Sequence, residues 1–146
     1  MSKLILVSIK PEFVEKIFDG TKKIELRKVS PHVEPGDLMI VYSTSPEMAI
    51  VGVCQIEKVI RSTPKEIWNS HSEVLGIDET RFFDYYSESS RAVGIVINSA
   101  KRLKSKISLE SIKRKFPRFA PPQTYKYYSK DVIFNLYPQD YSYLSS

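Results

Sequence analysis

Residues 20–27 place charges of both signs inside a segment that otherwise alternates like a half-buried strand: Gly20-Thr21-Lys22-Lys23-Ile24-Glu25-Leu26-Arg27. With a period of two, Lys23, Glu25 and Arg27 fall on one face and Ile24 and Leu26 on the other. Charges in such a strand must be paired or used, because an unpaired charge taken out of water is costly. A carboxylate and a guanidinium two residues apart on one face can pair sideways and hold each other in place. Upstream, Ser8-Ile9-Lys10-Pro11 ends an apolar strand, and residues 11–19 read as a short amphipathic helix closed by Gly20. The block therefore runs strand, helix, strand.

The rest of the chain adds strands with helices set between them. Residues 30–37 contain Pro31, Pro35 and Gly36 and read as a loop, followed by a strand at 38–42 and turn chemistry at Ser43-Thr44-Ser45-Pro46. Residues 48–60 are β-branched and long enough to bend around a barrel, with Gly52 marking the bend. Thr63-Pro64-Lys65-Glu66 combines an N-cap, a proline at the first helical position and a glutamate at the third, opening a short helix that presents Ile67 and Trp68. Asp78 caps a second helix in which Phe82, Phe83 and Tyr86 recur at helical spacing, a pattern that serves core packing or base stacking. A strand at 92–98 continues through 100–107, and Ser108 caps a last helix over 109–116. Pro117, Pro121 and Pro122 forbid regular helix beyond it, where Gln123-Thr124-Tyr125-Lys126-Tyr127-Tyr128 offers aromatic and amide groups. No regular alternation of strand and crossover helix follows the first unit, so a doubly wound sheet is excluded. The expectation is an α+β fold, a small mixed β-barrel with inserted short helices, forming a single domain over 1–146 with a C-terminal extension from about residue 108.

The order of Ser8-Ile9-Lys10-Pro11, the Gly20 to Arg27 run, Pro35-Gly36-Asp37, the strand after it, Ile50-Val51-Gly52-Val53 and the Trp68 helix resembles the ASCH domain of the PUA-like superfamily. The likeness covers roughly residues 3–100, with the tail from Ser108 matching longer members. The resemblance implies a PUA-like barrel with a cleft lined by Ser8, Lys10, Lys22, Glu25 and Arg27, approached by Ser43, and RNA or a modified nucleoside or nucleotide as partner. Arg27 would offer a planar donor fork, Lys10 and Lys22 positive charge, and Glu25 an acceptor for an exocyclic amine or a pin for Arg27. Some members of the family hydrolyse N4-acylated cytidine and others are ribonucleases. The amidohydrolases use a lysine, a threonine nucleophile three residues later and a glutamate from beyond the central strands. Here Lys22 matches the lysine, Glu25 stands where the threonine belongs, Thr21 is the alternative nucleophile, and Glu73 matches the acid loosely. A carboxylate raised in pKa by burial could activate water, but lysine and arginine neighbours act the other way. Binding therefore ranks above catalysis.

Composition narrows the field further. The chain has 146 residues, 22 Lys and Arg against 17 Asp and Glu, and a net charge of +5. The excess centres on 101–115, where Lys101, Arg102, Lys104, Lys106, Lys113, Arg114 and Lys115 face only Glu110. Such a run suits polyphosphate binding or a solvated surface. Cys54 is the only cysteine; it cannot form an internal disulfide, sits in an apolar run as a packing residue, and makes a reducing cytoplasm the expected compartment. No apolar stretch is long enough to cross a membrane, and residues 4–9 read as a strand rather than a signal peptide. His32 and His71 have no partner at ligand spacing and the five glycines are scattered singly, so neither a metal, another cofactor nor a P-loop is expected. A protein-interaction module built on the tyrosine-rich tail is the third option, with the cleft surviving loss of the tail.

Overall fold

The computed structural model describes residues 4–129 and Asp131. Six strands form one mixed sheet: β1 (Leu4–Ile9), β2 (Ile24–Arg27), β3 (Leu38–Ser43), β4 (Ala49–Ser62), β5 (Ala92–Ser108) and β6 (Tyr125–Tyr128), in the spatial order β2-β5-β4-β3-β1-β6. β1 and β3 are parallel and every other pairing is antiparallel. Four helices join them: α1 (Pro11–Asp19), α2 (Pro64–His71), α3 (Glu79–Tyr85) and α4 (Leu109–Lys115). The sheet curls, because β2 and the β1/β6 pair stand at opposite ends of the strand order and yet exchange hydrogen bonds through Arg27. This is the α+β, barrel-like architecture expected from the sequence.

Alternation of side chains creates two faces on the central strands. Ile5, Val7 and Ile9 of β1 join Met39 and Val41 of β3 and Val51, Cys54 and Ile56 of β4 on the concave side. There α1 fills the trough with Val14 and Ile17. Leu4, Leu6, Leu38, Ile40 and Tyr42 face the other way and are covered by Ile112 of α4. β1 and β3 are buried on both faces, which is why they read as unbroken apolar runs. A third cluster sits behind β2, where Ile24 and Leu26 meet Ile67 of α2, Leu75, Phe82 of α3 and Tyr86, which caps the C-terminus of α3.

Local chemistry sets the boundaries. Gly20 ends α1 at φ 88°, with its N–H donating to Ile17 O, a left-handed cap that costs glycine nothing. Thr63, Asp78 and Ser108 each accept from the backbone N–H three residues on, capping α2, α3 and α4 as the sequence predicts. Gly52 serves a close approach: a Cβ there would lie 2.3 Å from the Phe18 ring and 2.7 Å from Lys101 O. The pairing register of β4 with β5 shifts beside it, between Ile50 and Gly52, so the expected bend is where the sequence placed it.

The strand read at 92–98 and its continuation through 100–107 are one element, β5, as expected, and one expectation changes. Residues 125–128 form β6, paired antiparallel with β1 from Leu4↔Tyr128 to Val7↔Tyr125. The prolines before it exclude helix but not an edge strand, and Tyr-Lys-Tyr-Tyr has strong strand propensity. None of the described helices is long and apolar enough to cross a membrane.

Candidate functional site

β2 delivers its two inward charges to the seam between the ends of the sheet. Arg27 Nη2 donates to Glu25 Oε2 at 2.8 Å and to Ser8 O at 2.8 Å, and Nη1 donates to Thr124 O at 3.3 Å. Tyr86, which caps the C-terminus of α3, donates its hydroxyl to Arg27 O at 3.0 Å. The Ser8 hydroxyl donates to Pro122 O at 2.6 Å. The guanidinium thus ties β2 to β1 and to the segment entering β6, and both Glu25 and Arg27 are buried. Among the described residues, Arg27 Nε is a buried donor with no hydrogen-bond partner, as is Ser43 Oγ. Ser43 lies opposite Ile9 at the end of β3 and is wholly buried.

Lys22 closes the other side of this cluster. Its Nζ donates to Leu75 O at 2.6 Å and stands 5.1 Å from the centre of the Phe13 ring. The lysine stem packs on Gly76, where a Cβ would come within 2.7 Å of Lys22 Cβ. Burial pushes the Lys22 amine below the ordinary lysine value, with Glu25 opposing and Lys16 and Arg27 adding to the depression. The Phe13 ring also meets Lys16 at 5.8 Å and Arg81 at 5.1 Å. Arg81 of α3 in turn grips Glu12 of α1 through two bonds of 3.0 and 2.7 Å. At the rim, half-exposed Tyr85 carries Lys28 Nζ 4.7 Å over its ring and feels the charges of Arg27 and Glu25.

The residues singled out in the sequence fall into two groups. Ser8, Lys22, Glu25 and Arg27 come together, and Ser43 lies on the same concave side one strand beyond Ile9. Lys10 is exposed at the start of α1. Lys23 precedes β2 and is exposed, so the charged face consists of Glu25 and Arg27 alone. Thr21 is an exposed turn residue whose hydroxyl donates to Asp19 Oδ1 at 2.7 Å. Glu73 is exposed in the 3₁₀ turn Ser72–Val74, while the charges acting on Lys22 are those of Glu25, Lys16 and Arg27. Cys54 is buried and burial pushes its thiol up to about 12, so it is no thiolate nucleophile at neutral pH. Sequence reasoning missed Phe13, Arg81 and Tyr85, and the carbonyls of Pro122 and Thr124. Backbone acceptors leave no trace in a sequence, and Tyr85 has the same composition cue as its buried neighbour Tyr86.

Two outcomes follow from this geometry. Arg27→Ala leaves Glu25 buried without its partner and should cost roughly 3–5 kcal/mol in urea unfolding, with Glu25→Gln in the same chain recovering part of the loss. A variant that melts like the parent would remove the clasp as the seam's main tie. Lys22 contributes in the opposite sense to a surface lysine. Its folded pKa lies below its unfolded value, so between the two the unfolded chain binds more protons and stability rises with pH. The stability difference between the parent and Lys22→Met should therefore move toward the parent between pH 7 and 10; movement the other way would contradict the buried-amine assignment.

A sequence model of the ASCH domain matches residues 7–130. The ASCH domain-containing ribonuclease of Zymomonas mobilis is 22% identical over 129 residues, covering 88% of this chain and 86% of the relative. The crystal structure of ASCH from Zymomonas mobilis matches with a TM-score of 0.87 at 22% identity, over 94% of this chain and 95% of that one. An NMR structure of a Rhodopseudomonas palustris protein matches with a TM-score of 0.52 at 15% identity, over 92% and 90% of the two chains. The family match runs through α4 and β6, beyond the span of roughly 3–100 expected from the motifs. On this match, the chain belongs to the ASCH domain family.

Proposed function

We propose that this protein binds RNA, holding single-stranded RNA against the rim formed by α1, α3 and β2. The observation that carries this reading is the aromatic and cationic surround of the Glu25–Arg27 pair. Tyr85 with Lys28, and Phe13 with Lys16, Lys22 and Arg81, flank a buried polar pair that includes one donor without a protein partner. Single-stranded RNA is recognised by stacking its bases on aromatic rings, pairing its phosphates with cations and bonding the base edges to fixed polar groups. The Zymomonas relative, described as a ribonuclease, supports RNA as the partner class. Lys10, exposed beside this rim, supplies phosphate contact.

The test is fluorescence anisotropy with labelled tetrauridylate. Loss of one stacking ring costs about 1–3 kcal/mol, so Tyr85→Ala should weaken binding at least about fivefold while Tyr85→Phe holds it. Affinity should fall with salt, by a slope of about 0.7 per phosphate contacted. Salt-independent binding, or a Tyr85→Ala variant that binds like the parent, would move the ligand away from this rim.

A second reading, ribonuclease activity, draws on the relative's name and on Lys22. An amine with a depressed pKa is neutral over more of the pH range and can take the proton of a 2′-hydroxyl as that oxygen attacks phosphorus, the P–O5′ bond breaking and the departing 5′-oxygen taking a proton from water. Cleavage of an oligoribonucleotide should then be lost in Lys22→Met and absent for the 2′-deoxy analogue. Amide hydrolysis fits less well: Glu25 is pinned by Arg27 and the Thr21 hydroxyl is held in its turn. No turnover of N4-acetylcytidine is expected, and turnover that depends on Lys22 would reverse this ranking.

A further inference from the structure

The molecule's positive charge is concentrated away from the rim. Residues 101–118 carry eight Lys and Arg against Glu110 alone, +7 in a chain whose total is +5, so the remaining residues together carry −2. All eight cations are exposed. They follow one another along the second half of β5, through α4 and into the turn that holds Arg118. Arg102 is tied to Glu15, Lys106 to Glu47 and Arg114 to Glu110 at the surface, and such exposed pairs are worth little and exchange readily.

The strand is shaped to display them. β4 passes from Ile50 to Gly52 in two steps while β5 passes from Ile107 to Arg102 in five, so residues 103–106 form a bulge that carries Lys104 and Lys106. Beyond Ile97 no described strand pairs with the outer edge of β5, since β2 covers only Val93 to Val96. A row of lysines on an open edge opposes pairing with another strand and favours a polyanion. The register also joins this face to the candidate site. Ile9, Ser43, Ala49 and Ser108 stand side by side across β1, β3, β4 and β5. Three strand spacings place the start of α4 about 14 Å from the end of β1, roughly four nucleotides of a stacked strand.

We infer that the β5 bulge and α4 form a second docking surface, which takes the phosphate backbone of an RNA strand continuing past the rim. This rests on the RNA reading above and adds to it a site longer than the rim alone. Cations on the bulge and on α4 give non-specific, salt-sensitive affinity, without base recognition.

Anisotropy with labelled U4 and U20 separates the two surfaces. The triple variant Lys104→Glu, Lys113→Glu, Arg118→Glu should bind U20 at least tenfold more weakly, with a salt slope shallower by about 2, from about 0.7 per lost phosphate contact. Its U4 affinity should stay within twofold, because the substitutions leave Tyr85, Lys28 and Lys10 at the rim untouched. Its melting temperature should match the parent's. Unchanged U20 affinity, or equal losses for U4 and U20, overturns the second surface; loss of binding to phosphatidylserine vesicles with U20 unaffected assigns the face to a lipid surface instead. Failure of the parent to bind either RNA removes both this surface and the function it extends. U20 binding that depends on the triple variant, with U4 unbound and Tyr85→Ala silent, removes the rim while leaving the β5–α4 surface in place.

Discussion

The fold depends on one guanidinium. A six-stranded curled sheet has two edges, and an edge offers unpaired carbonyls that must find donors or water. Here Arg27, on one edge strand, reaches the Ser8 carbonyl of β1 and the Thr124 carbonyl that leads into β6. A planar fork with several donors suits this task, since a single ammonium cannot address two carbonyls and a carboxylate in fixed directions. Glu25 supplies the countercharge that makes burial of the fork tolerable. The seam is therefore closed by side-chain bonds, and the segment from Pro122 to Tyr128 belongs to the barrel. Residues 122–128 are therefore not merely an attached surface over an independent cleft, and the tail beyond Asp131 lies outside the described residues.

Buried charge elsewhere in the cluster follows the same logic with a different balance. Lys22 has a carbonyl partner, an aromatic face and the field of Glu25, yet burial still depresses its pKa. It is held in place by contacts on its stem, where Gly76 leaves room that any larger residue would fill. The amine is thus positioned by packing and only partly compensated by charge. That combination is expensive for stability, because the charged form is held in a site that only partly compensates for lost water.

Much of this was legible from the chain. Periodicity placed Ile24 and Leu26 against a packed layer and turned Glu25 and Arg27 to the other side, because strand alternation is a strict geometric rule. The caps at Gly20, Thr63, Asp78 and Ser108 were readable for a similar reason, each being a one-residue chemical requirement. The destination of Arg27 was not readable. Its acceptors are main-chain carbonyls whose sequence neighbours, Ser8 and Thr124, lie 19 and 97 residues away, and any residue type could supply them. β6 was hidden because the prolines before it exclude helix and say nothing of which strand the tyrosines after them would join. Tyr85 and Tyr86 differ only in which side of α3 they occupy, so one becomes rim and the other core.

The clasp also bears on how the family's polar strand should be read. A guanidinium already bonded to two carbonyls and a carboxylate cannot turn toward a ligand without opening the seam, and its Nε is buried, so Arg27 serves the seam. On the RNA reading proposed above, recognition would fall on exposed groups: Tyr85, Lys28 and Lys10 at the rim, and the cations on β5 and α4. The strand that makes the sequence recognisable sets the geometry of the seam. Division of labour of this kind lets the surface chemistry vary while the clasp is kept, since replacing an exposed lysine costs little stability and replacing Arg27 costs the seam.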